Sequence, residues 1–172
     1  MMTDFASIPA TIRTFEKKDS RACEGLYHEA ILGGTLAEND TGVDIDDIAT
    51  AYLSSPGSHF WVAENDGGEV VGMIGVQQHD AGIGEIRRLR VRPDHRRRGI
   101  GSALLETALR FCRDRQHLKV KLDTFMEREP AISLFEKYQF RHSHVREVGD
   151  RQLLYFYLDL YLSEPSDKKK QP

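Results

Sequence analysis

Apolar positions recur along the chain with two different periods, and each change of period marks an element. Residues 11–15 alternate in the manner of a short strand. Asp19 or Ser20 then stands where a helix cap belongs, ahead of a run that reads as helix to about Leu32, with Gly33 and Gly34 as its stop. A second helix is expected from the acidic group Asp44, Asp46 and Asp47, whose charges suit the positive end of a helix dipole, to Pro56 and Gly57. His59–Glu64 and residues 69–78 are strand-like. Asn65, Asp66, Gly67 and Gly68 between them tolerate the positive φ of a tight hairpin turn. A third strand, residues 85–92, follows a turn at 80–84, so three antiparallel strands form a meander.

Past Pro93 the period lengthens. Ile100, Leu104, Leu105, Ala108, Phe111 and Cys112 repeat at helical spacing, and a short apolar strand follows at 118–122. A strand, loop, helix and strand in that order favour a parallel pair. Pro130 suits the first turn of another helix, with Ala131, Leu134, Phe135 and Tyr138 on its inner side. From 154 to 162 the even positions are Leu154, Phe156, Leu158, Leu160 and Leu162, and the odd ones are Tyr155, Tyr157, Asp159 and Tyr161. That is a half-buried strand, and a tyrosine stripe on an accessible strand would support a homodimer or cover a pocket. Residues 163–172, with Lys168, Lys169 and Lys170, read as a disordered tail, which leaves 1–162 as one domain.

Composition narrows the classes. A chain of 172 residues, 40% hydrophobic, supports one sizeable core. A net charge of -3 and a pI near 6.2 give no bulk attraction to nucleic acid or an anionic membrane, so any anion site must be a local cluster. No run approaches the roughly 18 apolar residues of a membrane helix, and the N-terminus lacks a targeting pattern, so a cytoplasmic protein is expected. Cys23 and Cys112 are far apart and both fall in helical stretches, which argues against a disulfide framework, a metal pair or a nucleophile.

The local cluster is plain. Seven of the twelve residues from 87 to 98 are arginine, and the run leads into Gly99, Ile100 and Gly101 at the start of an amphipathic helix. Helix N-termini present unpaired N–H groups, and glycines let an anion come close. Like charges so near one another require an anion or a carboxylate partner. Three phosphate-binding patterns compete. Gly-x-x-x-x-Gly-Lys is absent, and Gly-x-Gly-x-x-Gly fails at Leu104, although Asp123 lies near the spacing of a ribose-binding acid. The third, [Arg/Gln]-x-x-Gly-x-[Gly/Ala], is met by Arg96, Arg97, Arg98, Gly99, Ile100 and Gly101. A dinucleotide-binding enzyme and an arginine-rich nucleic-acid module remain as alternatives.

The segment Glu85-Ile-Arg-Arg-Leu-Arg-Val-Arg-Pro-Asp-His-Arg-Arg-Arg-Gly-Ile-Gly-Ser-Ala-Leu-Leu-Glu106 resembles the acetyl-coenzyme A-binding strand, loop and helix of GNAT N-acetyltransferases. Pro130-Ala-Ile-Ser-Leu-Phe-Glu-Lys-Tyr-Gln-Phe140 resembles their later helix and the strand after it. The resemblance implies an α/β fold with a mixed, mostly antiparallel sheet flanked by helices and the co-substrate acetyl-CoA between two splayed parallel strands. It assigns the pyrophosphate to main-chain groups of Arg97, Arg98, Gly99, Ile100, Gly101 and Ser102, with Arg96 or Arg97 near the phosphates. It assigns the pantetheine arm and thioester carbonyl to Leu89, Arg90 and Val91.

The residue pattern independently calls for a bulge. Ile86 and Leu89 are three apart while Leu89 and Val91 are two apart, so one apolar face is continuous only if an extra residue near Arg87 and Arg88 is absorbed. Those two arginines also read as solvent-facing residues of an edge strand.

By resemblance, Glu85 takes the place of the general base of the histone-acetylating branch, with His79, His28 and Tyr27 as rivals and a solvated strand end as the plainer reading. Trp61 and Phe60 read as core. Two departures stand out: Arg128 replaces a frequent asparagine, and Phe135 replaces the usual tyrosine acid, which leaves solvent or Tyr138 to protonate the departing thiolate. The implied activity is transfer of an acetyl group directly to a primary amine of a small molecule or peptide, without a metal, nucleic acid or membrane. A non-catalytic acyl-CoA sensor is the alternative within the same resemblance.

Overall fold

The computed structural model describes residues 8–30 and 40–162. In chain order the elements are β1 (Thr11–Thr14), α1 (Ser20–Glu29), α2 (Val43–Asp46), α3 (Ile48–Leu53), β2 (His59–Glu64), β3 (Val70–Asp80), β4 (Ile83–Val91), α4 (Ile100–Asp114), β5 (Lys119–Phe125), α5 (Glu129–Lys137), β6 (Arg141–Val148) and β7 (Arg151–Asp159). They build one seven-stranded sheet in the order β1-β2-β3-β4-β5-β7-β6. Every neighbouring pair is antiparallel except β4 and β5.

Two apolar layers pack on the two faces of this sheet. Trp61, Ala63, Ile74, Val76 and Ile86 meet α4 residues Ile100, Leu104, Leu105 and Ala108, with Phe135 of α5 in the same cluster. Phe60, Val62 and Met73 meet Leu26 and Tyr27 of α1, Ile45 of α2, and Ile48 and Tyr52 of α3. Burial on both faces explains why β2 and β3 read as nearly continuous apolar runs rather than alternating ones. Gly75 marks the tightest approach: a Cβ there would lie 2.6 Å from the Tyr52 ring and 2.8 Å from that of Phe60. No helix among the described residues is long and apolar enough to cross a membrane.

The meander β2-β3-β4 and the parallel pair β4-β5 stand as the sequence pattern predicts. Three elements differ from expectation. The acidic second helix is two short ones, because Asp47 leaves the helical region (φ -144°, ψ 77°) and its carboxylate accepts the Thr50 N–H at 3.1 Å, capping α3 afresh. Strand β6 has no apolar alternation to announce it: seven of its eight residues are exposed, and it is held by its ladder to β7. Strand β7 starts earlier and ends at Asp159, and Leu160–Leu162 turn into a 3-10 helix that buries Leu160.

That last difference shortens the tyrosine stripe, of which Tyr155 lines a cavity of the protein. β7 lies between β5 and β6 and offers no free edge. Tyr155 stacks on His144 at 4.2 Å, Tyr157 lies 5.1 Å from the Lys119 ammonium, and only Tyr161, off the strand, is widely exposed. The expected helix stop at Gly33 and Gly34 and the expected tail at 163–172 lie outside the described residues.

Candidate active site

The parallel ladder between β4 and β5 is short. It pairs Ile83 with Lys119, Gly84 with Val120 and Glu85 with Lys121, and stops there. β5 runs on against β7 to Phe125, while β4 runs on against β3 to Val91. The bulge accompanies this parting: Gly75 faces Arg87 but Met73 faces Arg90, so Arg88 and Leu89 share the space opposite Ile74.

Arg88 takes φ 59°, a region that residues with a side chain seldom occupy. Four hydrogen bonds hold it. Its guanidinium donates to Asp44 at 2.9 and 2.6 Å and to Asp40 at 2.7 and 2.9 Å, and lies 4.8 Å over the Tyr27 ring. Asp44 also accepts from the Tyr52 hydroxyl at 2.6 Å. Burial pushes the Asp44 carboxyl upward, but the bonds from Arg88 and Tyr52 outweigh it and hold the group at about 2. Arg88 is therefore not a solvent-facing residue: it is 7% exposed and ties α2 to the bulge. Arg87 stays half-buried, bonded to Gln77 at 3.0 Å.

Past the bulge the main chain has a free side. Arg92 donates to Val71 of β3 and Arg90 stands opposite Met73, so by the two-residue alternation of an antiparallel ladder Leu89 and Val91 direct their polar groups away from β3. Their carbonyls accept from guanidinium groups, Leu89 from Arg90 at 2.8 Å and Val91 from Arg96 at 3.1 Å. The Arg90 main chain is turned toward β3.

The start of α4 continues this line. Gly99 precedes it at φ 84°, and Arg97 sits at φ 61°. No side chain caps the helix, and the first return bond is Ala103 to Gly99 at 3.0 Å. The N–H groups of Ile100, Gly101 and Ser102 have no main-chain acceptor among the described residues. Arg96, Arg97 and Arg98 are exposed and form no ion pair there. Gly99 needs its left-handed backbone. Gly101 does not: a Cβ would meet only Leu134 and Val91, at 3.7 and 3.8 Å.

A cavity of about 340 Å³ opens where β4 and β5 part, walled by Ile86 to Arg90 on one side and Leu122 to Phe125 on the other. Glu85 sits at its closed end. Its carboxylate lies 2.8 Å from His79 Nε2, 3.8 Å from Arg87 Nε and 3.9 Å from Lys121 Nζ. Asp123 points into the same space two residues past the last ladder pair. It stands open to the cavity yet is crowded by protein, and this burial, with the Glu85 charge, raises its carboxyl pKa. Along the chain Asp123 stands out only by a ribose-binding spacing; its alternation with buried Leu122 and Thr124 is the signal that places it on the cavity side of β5.

Phe135, Arg128 and Tyr155 also line the cavity. Tyr138 does not. Its hydroxyl donates to Glu106 of α4 and lies close to Ser102, and burial and the Glu106 bond push its pKa up to about 12. Glu85 and Tyr138 are thus not brought together. Of the rival bases only His79 reaches the cavity; His28 is exposed on α1, and Tyr27 is a buried residue of the second core. Trp61 packs on Phe111 at 5.2 Å and Phe60 on Tyr52 at 4.8 Å, both as core. Both cysteines are buried, and burial pushes each thiol to about 12, well away from a reactive thiolate.

A sheet parted at its one parallel pair, beside a glycine-rich helix start, defines an acyl-CoA-type transferase fold. Residues 24–140 match the model of the acetyltransferase (GNAT) family, and the chain belongs to that family. It is 40% identical to human N-acetyltransferase 8 over 103 residues, which are 57% of this chain and 45% of the relative. The chain thus spans less than half the length of that curated relative. Among solved structures it resembles a GNAT-family acetyltransferase from Staphylococcus aureus Mu50 (TM-score 0.77, 20% identity, covering 88% of this chain and 99% of that one). It also resembles a GNAT-superfamily phosphinothricin acetyltransferase from Sinorhizobium meliloti, solved in complex with acetyl-CoA (TM-score 0.75, 18% identity, 94% and 95% covered).

Proposed function

We propose that this chain is an N-acetyltransferase that binds acetyl-CoA along the free side of β4 and transfers its acetyl group to a primary amine entering the cavity beside Glu85. The observation that carries this reading is the ladder that ends at Glu85, with a bulged, half-paired strand leading straight to an uncapped helix N-terminus.

The residues present fit the co-substrate. The N–H groups of Ile100, Gly101 and Ser102, without a main-chain acceptor among the described residues, suit the pyrophosphate, and Gly101 sets no side chain beside them. The exposed Arg96, Arg97 and Arg98 add positive charge beside it. The polar main-chain groups of Leu89 and Val91 suit the pantetheine amides and the thioester carbonyl, once the guanidiniums of Arg90 and Arg96 release their carbonyls. Acetyl-CoA supplies the acetyl group as an activated thioester.

The amine must arrive uncharged, although a lysine-like amine has a pKa of about 10 and an α-amino group about 8. Glu85, held by His79 and open to the cavity, accepts that proton directly or through one water. The nitrogen then forms its bond to the acetyl carbon as the carbon–sulfur bond breaks, the electron pair leaves with sulfur, and the acylated nitrogen gives up its second proton to water. A thiol of pKa about 8.5 makes a tolerable leaving group near neutral pH. With Phe135 in the cavity and Tyr138 bonded to Glu106, solvent protonates it in this reading.

Calorimetric titration tests the binding half. Acetyl-CoA is expected to bind the wild type, and Gly101→Asp, which sets a carboxylate against the pyrophosphate, to lose binding by a hundredfold or more with its circular dichroism unchanged. Unchanged affinity in that variant overturns the assignment. Thiol release from acetyl-CoA in the presence of a panel of amines tests the catalytic half.

A further inference from the structure

We propose that the acceptor carries a carboxylate as well as its primary amine, and that Arg90 and Arg128 hold that carboxylate in the cavity. This deepens the acetyltransferase reading above and rests on it.

The cavity is polarised along its strands. β4 and β5 are parallel, so Glu85, His79 and Asp123 gather toward the ladder, while Arg90, five residues beyond Glu85, and Arg128, three beyond the end of β5, stand toward the opposite end. Among the described residues, Asp40 is the carboxylate that lines this end of the cavity and acts on both arginines. Asp40 pairs directly with Arg88, and Asp44 pairs with Arg88 and lies 4.0 Å from Arg87. Arg90 and Arg128 have no ion pair among the described residues. Each spends a donor on a carbonyl, Arg90 Nη1 on Leu89 and Arg128 Nη2 on Ala30.

Arg90 Nε is buried with no acceptor among the described residues. Buried donors without acceptors are rare in folded proteins and call for an explanation such as a ligand. Burial and the neighbouring Arg128 and Arg88 charges disfavour the Arg90 cation, and burial with Arg96 and Arg151 does the same to Arg128, more than Asp40 offsets. An anion between them removes that conflict. A guanidinium presents its donors in a planar fork that suits a carboxylate side-on.

For Arg90 the pyrophosphate of acetyl-CoA is not that anion. Arg90 extends to the side of the sheet where Tyr27 and Asp40 lie, whereas α4 packs on the other face. The volume of about 340 Å³ falls at the lower edge of small-molecule sites and suits an acceptor of amino-acid size. Arg128, which departs from the neutral asparagine that the resemblance leads one to expect, thereby gains a reason.

Kinetics with acetyl-CoA and each common L-amino acid that carries a primary α-amine, each set beside its own carboxamide, tests this. For the amino acids that react, the acid is expected to exceed the amide at least tenfold in kcat/KM, through KM. In Arg90→Gln and, separately, Arg128→Gln that ratio falls to near one. Arg128, on a loop, serves as the second variant should Arg90→Gln fail to fold. Equal use of acid and amide by the wild type overturns the proposal, as does a stronger preference for the matching aminophosphonate. Calorimetry of the same amino acids on CoA-saturated protein separates the two readings. Arginine-dependent binding without turnover supports the carboxylate site and sinks the acetyltransferase. Neither binding nor turnover, with acetyl-CoA still bound, sinks the carboxylate site alone when simple amines react.

Discussion

Glu85 and Asp123 show how neighbours decide what a carboxylate does. Glu85 has three basic groups within 4 Å, whereas Asp123 has its proton affinity raised by burial and by Glu85 itself. Burial favours the protonated form of Asp123, while Glu85, facing the cavity beside three basic groups, is placed to take a proton from the amine. Glu85→Gln is expected to lower turnover about a hundredfold at pH 6 and much less at pH 9, where more of the amine is already uncharged, as pH–rate profiles on a confirmed acceptor will read. Full activity across that range would leave deprotonation to water. Phe135 lines the cavity where an acid would help the leaving thiolate, so Phe135→Tyr should leave kcat equal or raise it up to about tenfold.

At the scale of elements, β4 carries the site because its neighbours differ on its two edges and along its length. β3 pairs with it throughout, β5 only at its start, and the bulge at Arg88 sits between. The bulge depends on α2, whose Asp44, with Asp40 before the helix, anchors the Arg88 guanidinium. Strand β3 in turn must stay thin at Gly75 to seat Tyr52, whose hydroxyl completes the Asp44 bonds. Gly75→Ala is therefore expected to destabilise the protein by about 1–3 kcal/mol, because the Tyr52 and Phe60 rings packed on that face must shift. Urea unfolding checks this, and a midpoint within error of wild type would mean the rings relax without cost.

For the whole molecule, acid stability follows from the same carboxylates. Asp44 titrates at about 2 in the fold against about 3.9 in an unfolded chain, so its contribution is complete above about pH 4 and is lost as pH falls through 2. Asp19, bonded to Arg13, and Asp40, bonded to Arg88, are also lowered and act with the same sign, while Asp123, raised, acts oppositely. Stability should fall between pH 4 and 2, with Asp44 accounting for about 2 kcal/mol. Asp44→Asn should flatten that slope and cost about 3–5 kcal/mol near neutral pH by leaving Arg88 short of a partner. Urea titrations at pH 6, 4 and 2.5 measure both.

The elements whose apolar residues face a core were legible in the chain itself. The period of α4, the meander, the parallel pair and even the bulge follow from which residues must reach the same side. The arginine-glycine run was legible too, because a helix start is a local structure. What only the tertiary structure decided is what each charge faces. Nothing along the chain says that Arg88 meets Asp44, 44 positions away, or that Arg90, two residues on, meets no carboxylate among the described residues. Strand β6 was hidden for a related reason: an exposed edge strand has no buried face to impose alternation, so its ladder to β7 alone defines it. Tyr138 sits at helical spacing from Phe135, yet only the packing of α5 on α4 turns its hydroxyl to Glu106 and away from the cavity. Periodicity records the side on which a residue must be buried; charge pairing between distant segments leaves no period, and so it waits for the fold.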